Sequence, residues 1–423
     1  MTTISTSSKS AAGPYGREPN QVALERIVTA RPILRDILPA VEVVPGMEPN
    51  LILTSGAGLP WSDYSGGQRR AIVGGAMFEG LASDKADAEA KLMNGEIAVG
   101  ACQDYGCIGS LAGIYTASMP VFVVENPQFG NLAYCNCFEG SSPRRLNYGV
   151  YDNEVDAALQ FLHRVVTPVL AATLKRFPDG IPLQPLMRRA LNMGDELHSR
   201  NTAATLLFTR EILPSLLEVY REMPSETRTV VDFITSNDYF FLRLSMAAAK
   251  ATADAAAGVD GSSIVTAMAF SCREFAIRVS GTGNEWFRAP IPDAKAKYFP
   301  GHSESEAEYM GGESPIIETI GLGGFAQAAA FPLQDYQGGS PAEMIKANEK
   351  MYEITVGEHP TFRIPALGFR GVPVGIDVRL VVETGVAPVM DIGIAGSEGG
   401  QIGAGVLQAP LDCFKAAVRA LDQ

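Results

Sequence analysis

Four histidines occur in this 423-residue sequence, and one of them stands among polar residues able to hold and move a proton. The stretch Met193-Gly-Asp-Glu-Leu-His-Ser-Arg-Asn-Thr-Ala-Ala-Thr-Leu-Leu-Phe208 reads as a helix. Its wheel places Asp195, His198 and Thr202 along one side, at spacings of three and four. Leu197, Ala204 and Phe208 fall on the opposite, apolar side, with Asn201 in their row. A carboxylate one turn before an imidazole raises the affinity of that ring for a proton. An amide in an apolar row must be hydrogen-bonded or it is costly. The spacing therefore predicts Asp195 and His198 as acid–base residues, with Asn201 fixing the helix from behind. A satisfied core Asn beside a solvated Asp/His pair fits the same pattern.

The other candidates are charged or amide side chains beside turns in apolar surroundings. Arg278 lies within Phe275-Ala-Ile-Arg-Val279, and Arg370 follows an apolar run and precedes Gly371. Ser236-Asn237-Asp238 is expected to cap a helix running to about residue 257. That helix would hold Lys250 about 20 Å from its start. Asn237 and Asp238 are the site candidates, and Lys250 reads as a surface or dipole partner. The acid- and glycine-rich stretch 301–324 is expected to open a helix near 325–330, turning the amides of Gly323 and Gly324 towards an anion. Packing glycine explains the same residues. Arg69 and Arg70 open another helix and read as a solvated pair. His163 sits in an apolar helix and reads as structural, while nothing recommends His302 or His359.

Several familiar motifs are missing. There is no G-x4-G-K-[S/T], no G-x-S-x-G and no H-E-x-x-H, and the Gly399–Gly405 run lacks the elements of a dinucleotide turn. Cys102, Cys107, Cys135 and Cys137 are spaced C-x4-C and C-x-C, unlike zinc knuckles, and read as buried structural thiols. Six cysteines in so long a chain make no disulfide framework, which fits a cytoplasmic protein.

Met193-Gly-Asp-Glu-Leu-His-Ser-Arg-Asn-Thr-Ala-Ala-Thr205 closely resembles the signature of the YlbE/AllG-like family. The resemblance continues through Ser236-Asn-Asp-Tyr-Phe-Phe-Leu-Arg-Leu-Ser-Met-Ala-Ala-Ala-Lys250 and Phe369-Arg-Gly-Val-Pro-Val-Gly-Ile-Asp377, covering most of the chain beyond about residue 65. It implies a subunit linked to oxamate carbamoyltransferase in allantoin and purine breakdown, working beside FdrA-like partner subunits. Oxalurate and phosphate would give oxamate and carbamoyl phosphate, with phosphate as co-substrate and no cofactor required.

The elements that must position these residues form three parts. Residues 1–20 read as a disordered tail without a signal-peptide core. Mixed strand and helix patterns follow over 21–153, helical periodicity over 154–225, and mixed patterns again over 226–423. The expected fold is multi-domain α+β: two α/β domains with mixed sheets around a helical middle region, whose His198 helix walls the cleft. The first stretch, 20–40, is expected to be helical and broken at Pro32. The segments 263–270 and 275–279 should form a hairpin, and 374–383 a strand. No apolar run approaches a membrane span. A net charge of −13 argues against nucleic-acid or anionic-lipid surfaces but leaves room for a local cationic pocket.

For carbamoyl transfer, a carbonyl must be polarised, phosphate held and a proton delivered to the departing nitrogen. His198, Asp195 and Asp238 are expected to act on the reacting atoms. Asn201, Asn237, Arg278, Arg370, Gly323, Gly324 and Glu318 are expected around the substrate and anion. Two other readings stay open: a metal-assisted amidohydrolase with Asp195, His198, Asp238 and Glu318 as ligands, and a non-catalytic scaffold. A homo-oligomer is expected in each case.

Overall fold

The computed structural model describes residues 18–423. Most of the tail expected at 1–20 lies outside the described residues, but its end does not. Pro19 opens a helix to Thr29. Asn20 is fastened by hydrogen bonds to Ser263 Oγ and Asp377 Oδ2, both at 2.9 Å.

The helix Leu242–Ala255 lies at the centre, and nearly all of its residues are buried. Its alanines favour helix and leave a thin cylinder that neighbours can approach from every side. One side packs on the strands Pro120–Asn126 and Asn131–Asn136, the other on the short helix Ile316–Thr319. The helix starts later than its sequence suggests. Asn237–Phe241 form a turn, Phe240 N–H donating to Asn237 O at 3.0 Å, so Asn237 and Asp238 precede the helix rather than cap it.

The architecture is α+β. A mixed five-stranded sheet runs in the order Cys107–Ile108, Asn131–Asn136, Pro120–Asn126, Ile33–Pro39, Ile181–Pro182. The hairpin Val265–Phe270/Glu274–Val279 forms as expected and gains Phe287–Pro290 as a third strand. A four-stranded sheet joins Lys295–Tyr298, Gln401–Gln408, Val389–Gly396 and Ala307–Glu308. One apolar core draws on residues from Ala23 to Val374, with members on both sides of positions 153 and 225. A second gathers Val265, Phe275, Val378 and Phe414.

Several local expectations are corrected. Ile33–Pro39 is a strand paired with Pro120–Asn126, not helix; Leu34 and Ile37 turn into the core. Val378–Thr384 is a helix, not strand, because the Asp377 carboxylate takes the Arg379 N–H at 2.8 Å and Gly385 ends it at φ 67°. Thr355–Ile364 and Gln401–Gln408 are strands without a clear alternating pattern. The helical stretch Asn153–Leu174 is long and apolar enough to cross a membrane by length and composition alone, contrary to the expectation of none. Its Val155, Leu159, Leu162, Val166 and Leu170 pack in the first core. Within it, Pro168 cannot donate to the ladder, and Leu162–Val166 widens into a π turn just before it.

The largest correction falls on the 193–208 stretch. The helix Leu183–Asn192 ends, residues 193–201 form a turn, and a second helix starts only at Thr202. Gly194 has φ 99° and Leu197 φ 76°. Side chains replace the helical carbonyls in this turn. Glu196 accepts the N–H groups of His198 at 3.1 Å and of Arg200 at 3.0 Å, and also that of Ser199. Asp195 Oδ2 accepts Ala204 N–H at 2.8 Å. Asn201 locks the joint, donating to His198 O and accepting from Ser245 Oγ, both at 3.1 Å. Pro214 lies inside the second helix without ending it. Asn201→Ala should therefore lower stability by about 1–3 kcal/mol, because Ser245 and the His198 carbonyl lose a buried partner. A urea titration of both proteins checks this, and an unchanged midpoint contradicts it.

Candidate functional site

A cavity of about 680 Å³ opens beside the start of the central helix. Its walls come from segments far apart in sequence: the loop holding Arg145 and Tyr148, the turn of His198 and Ser199, the turn Ser236–Tyr239 with Arg243, and the glycine bend at 311–312. Leu111, on the same wall, holds φ 55°, a left-handed backbone rare for a non-glycine residue and concentrated at functional sites.

His198 is buried, 5% exposed, yet reaches the cavity. Its Nδ1 lies 2.7 Å from Glu318 Oε1, an oxygen that also accepts Gly324 N–H at 3.1 Å and Asp391 N–H at 3.0 Å. Nε2 makes no hydrogen bond to protein among the described residues. Burial disfavours the charged ring, but the Glu318 carboxylate outweighs it and raises the pKa above the ordinary value. Behind the pair, burial and the nearby Glu318 push the Asp391 carboxyl up to about 6. The partner of His198 is thus Glu318 from a distant segment, not Asp195. Asp195 is turned away, capping the helix at Ala204 with the Arg200 guanidinium 3.3 Å distant, and burial pushes its carboxyl up to about 6.

Two arginines missed in the sequence line the cavity, together with the carboxylates of Glu139, Asp238, Asp293, Glu304 and Glu308. Arg243, 4% exposed, donates through Nη1 to Asn136 Oδ1 at 2.9 Å. Arg145 donates through Nη1 to Gly140 O at 2.9 Å, and its guanidinium lies 4.4 Å from the Tyr148 ring centre. Burial pushes the Tyr148 hydroxyl up, and both guanidinium groups pull it back, so both act on one phenol. Neither arginine has a carboxylate partner among the described residues. Arg243 is buried, and a buried cation outside any salt bridge is unfavourable unless a nearby carboxylate such as Glu139, or a bound anion, offsets it. The signal for Arg243 was a charge inside Phe240-Phe-Leu-Arg-Leu-Ser-Met246. Arg145 sits in a loop and gave none.

Of the other expected residues, Asn237 lines the cavity, with Nδ2 donating to Phe233 O, and Asp238 stands exposed at the rim, accepting from Thr202 Oγ1 at 3.1 Å. The rest lie elsewhere. Asn201 is packing, as described. Arg278 pairs with Asp104 and stacks 4.2 Å from the Trp286 ring centre. Arg370 pairs with Glu358 at 2.8 Å and stacks on Tyr352. The amides of Gly323 and Gly324 face protein, not an anion: Gly323 N–H donates to Glu196 O at 2.8 Å and Gly324 N–H to Glu318. Lys250 is buried and paired with Asp254 rather than on the surface. The metal set Asp195, His198, Asp238 and Glu318 does not converge, and no group of three potential ligand side chains is placed to hold a metal among the described residues. The four cysteines 102, 107, 135 and 137 are buried free thiols.

Comparison with known proteins gives consistent relatives. A family model described as oxamate carbamoyltransferase subunit AllG matches residues 97–314. The chain is 39% identical to the oxamate carbamoyltransferase subunit AllG of Escherichia coli K12 over 406 residues, 95% of this chain and 96% of that protein. It is 38% identical to the protein YahG of the same organism, over 94% of this chain and 84% of that one. A crystal structure of a conserved protein of unknown function from Enterococcus faecalis V583 superposes with a TM-score of 0.92 at 37% identity, covering 96% of this chain and 97% of that one.

The His198–Glu318 pair has a pH signature. Because the native ring holds its proton more tightly than the unfolded one, its stabilisation is present below the ordinary imidazole value of 6.5 and is lost as pH rises through the elevated native value. An NMR titration of the His198 ring should show a midpoint above 6.5, and Glu318→Gln should lower it. A wild-type midpoint below the ordinary value would mean that burial prevails over the carboxylate.

Proposed function

The chain belongs to the AllG family of oxamate carbamoyltransferase subunits, and from that premise we propose that its cavity is where a carbamoyl group passes between a ureido nitrogen and phosphate. The observation that carries this reading is the pair of guanidinium groups, Arg145 and Arg243, on the cavity wall and in no salt bridge among the described residues, beside an imidazole whose Nδ1 is held by Glu318. Arginine binds phosphate and carboxylate through paired N–H donors, and two arginines suit a dianion next to an anionic substrate.

In the proposed reaction, a phosphate oxygen attacks the ureido carbonyl of oxalurate. The bond from that carbon to the oxamate nitrogen breaks, and carbamoyl phosphate forms. The proton carried by hydrogen phosphate ends on the departing oxamate nitrogen, so atoms and charge balance. His198 Nε2 is the group to relay it, with Glu318 holding the ring and its charge. Arg145 and Arg243 hold the phosphoryl oxygens and offset the charge that develops during attack. Asn237 and Asp238 line the entrance and take part in positioning. As a subunit, the chain would act in an assembly with other subunits, FdrA-like proteins among them, in the breakdown of ureido compounds. The amidohydrolase reading loses its ligand set, as its four side chains do not meet.

The test is carbamoyl phosphate formation from oxalurate and phosphate, with the chain alone and with partner subunits supplied. Arg243→Met should lower kcat/KM by about 10²–10³-fold, and His198→Gln by about 10²–10⁴-fold. Glutamine is the better probe than alanine, since its amide can still donate to Glu318, whereas His198→Ala would strand a buried carboxylate and lower the melting temperature too. Full turnover in either folded variant would remove the cavity from the chemistry. Activity that needs the partners yet ignores both substitutions would make this chain the scaffold.

A further inference from the structure

We propose that a second cavity, at the end of the Leu183–Asn192 helix, is a binding site for a nucleoside di- or triphosphate. It shares no residue with the cavity of His198 and does not depend on the reaction assigned there. Its volume of about 430 Å³ is that of a small-molecule site. Arg188, Arg189 and Asn192 line it from the last turns of the helix. Arg363 comes from the strand Thr355–Ile364, which packs on that helix, and Phe369 from the bend that follows the strand. Among the described residues, no carboxylate lines this cavity.

Three guanidinium groups around one cavity need a reason in a chain of net charge −13. Elsewhere, arginines take carboxylates, as Arg176 does with Glu218 and Glu222, and Arg370 with Glu358. Arg188 and Arg189 are exposed and make no side-chain hydrogen bond or salt bridge among the described residues. Arg363 donates only its Nε–H, to the Pro360 carbonyl at 3.1 Å. The negative end of a helix favours cations on its last turn, which accounts for Arg188 and Arg189. It does not account for Arg363, brought to the same cavity by a distant strand. Like charges gathered from two elements repel unless an anion lies among them. Guanidinium groups grip phosphate through paired N–H donors, and three of them suit two or more phosphoryl charges. The remaining wall is aromatic. Phe369 is 57% exposed and held at φ 63°, so its ring stays open to a ligand. A nucleobase stacks on such a ring, and the Asn192 amide offers both a donor and an acceptor for the base or sugar. Cations for phosphate and a ring for a base together point to a nucleotide rather than to a bare anion.

Isothermal titration of the full chain with ATP, without added metal, tests the proposal, with circular dichroism confirming that each variant is folded. Binding should be saturable. Arg188→Glu, Arg189→Glu and Arg363→Glu should each raise the dissociation constant at least about tenfold, as reversal of a contacting charge does. Phe369→Ser should raise it at least about fivefold for ATP and leave it unchanged for inorganic tripolyphosphate, which has no base to stack. Arg243→Met should leave ATP binding intact, so failure of this site and failure of the carbamoyl-transfer reading show in different variants. Absence of saturable ATP binding overturns the proposal. So does binding that the arginine reversals leave intact, binding lost in Arg243→Met, or an ATP affinity that Phe369→Ser does not change.

Discussion

A helix buried on nearly every side makes each polar side chain on it costly unless it is partnered, and the Leu242–Ala255 helix is such an element. Its alanines let the five-stranded sheet and the Ile316–Thr319 helix close on it from opposite sides. The exceptions to its apolar surface are therefore informative. Lys250 is neutralised by Asp254 four residues on, and Ser245 is held by Asn201. Arg243 alone is left with a neutral amide partner, at the end where the helix meets the cavity. The packing constraint and the electrostatics of the site thus share one residue.

Carboxylates organise the other wall. Glu196 and Asp195 substitute for backbone acceptors and turn the chain between two helices, which swings His198 out of helical register and into the cavity. Glu318 then meets the ring from more than a hundred residues away, its Oε1 accepting from His198 Nδ1 and from two backbone amides. The geometry of the imidazole depends on the two glycines at 323 and 324. A Cβ on Gly323 would lie 2.5 Å from Glu318 Oε1, and one on Gly324 would lie 2.3 Å from the Val389 carbonyl oxygen. Those glycines serve close packing behind the site, and the anion they were expected to hold is left to the arginines.

What the sequence disclosed and what it hid divide along physical lines. The α+β class and the hairpin at 265–279 were legible, because each rests on local periodicity or turn chemistry. The helical wheel failed at residues 193–201 because acidic side chains can satisfy amides as well as a helix can, and a wheel cannot see the difference. Strand 401–408 was hidden because its glycines accept close approach by the neighbouring strand and leave no alternating pattern. The contact of Glu318 with His198 and the place of Arg145 on the same cavity wall as that ring arise only through tertiary contact. No spacing rule joins positions that distant.

The clasp on Asn20 carries a consequence for the order of events during synthesis. Its amide is held by Ser263 and Asp377, 243 and 357 residues further along the chain. A ribosome adding roughly 5–20 residues each second separates these partners by tens of seconds. The first helix has no native place to dock through most of that interval, although its Ala23, Leu24 and Ile27 face the core. Contacts of such long range slow folding, because the loop must close before its reward is felt. The Asn20 segment is therefore made long before its partners, and the clasp closes only after residues 263 and 377 have been added.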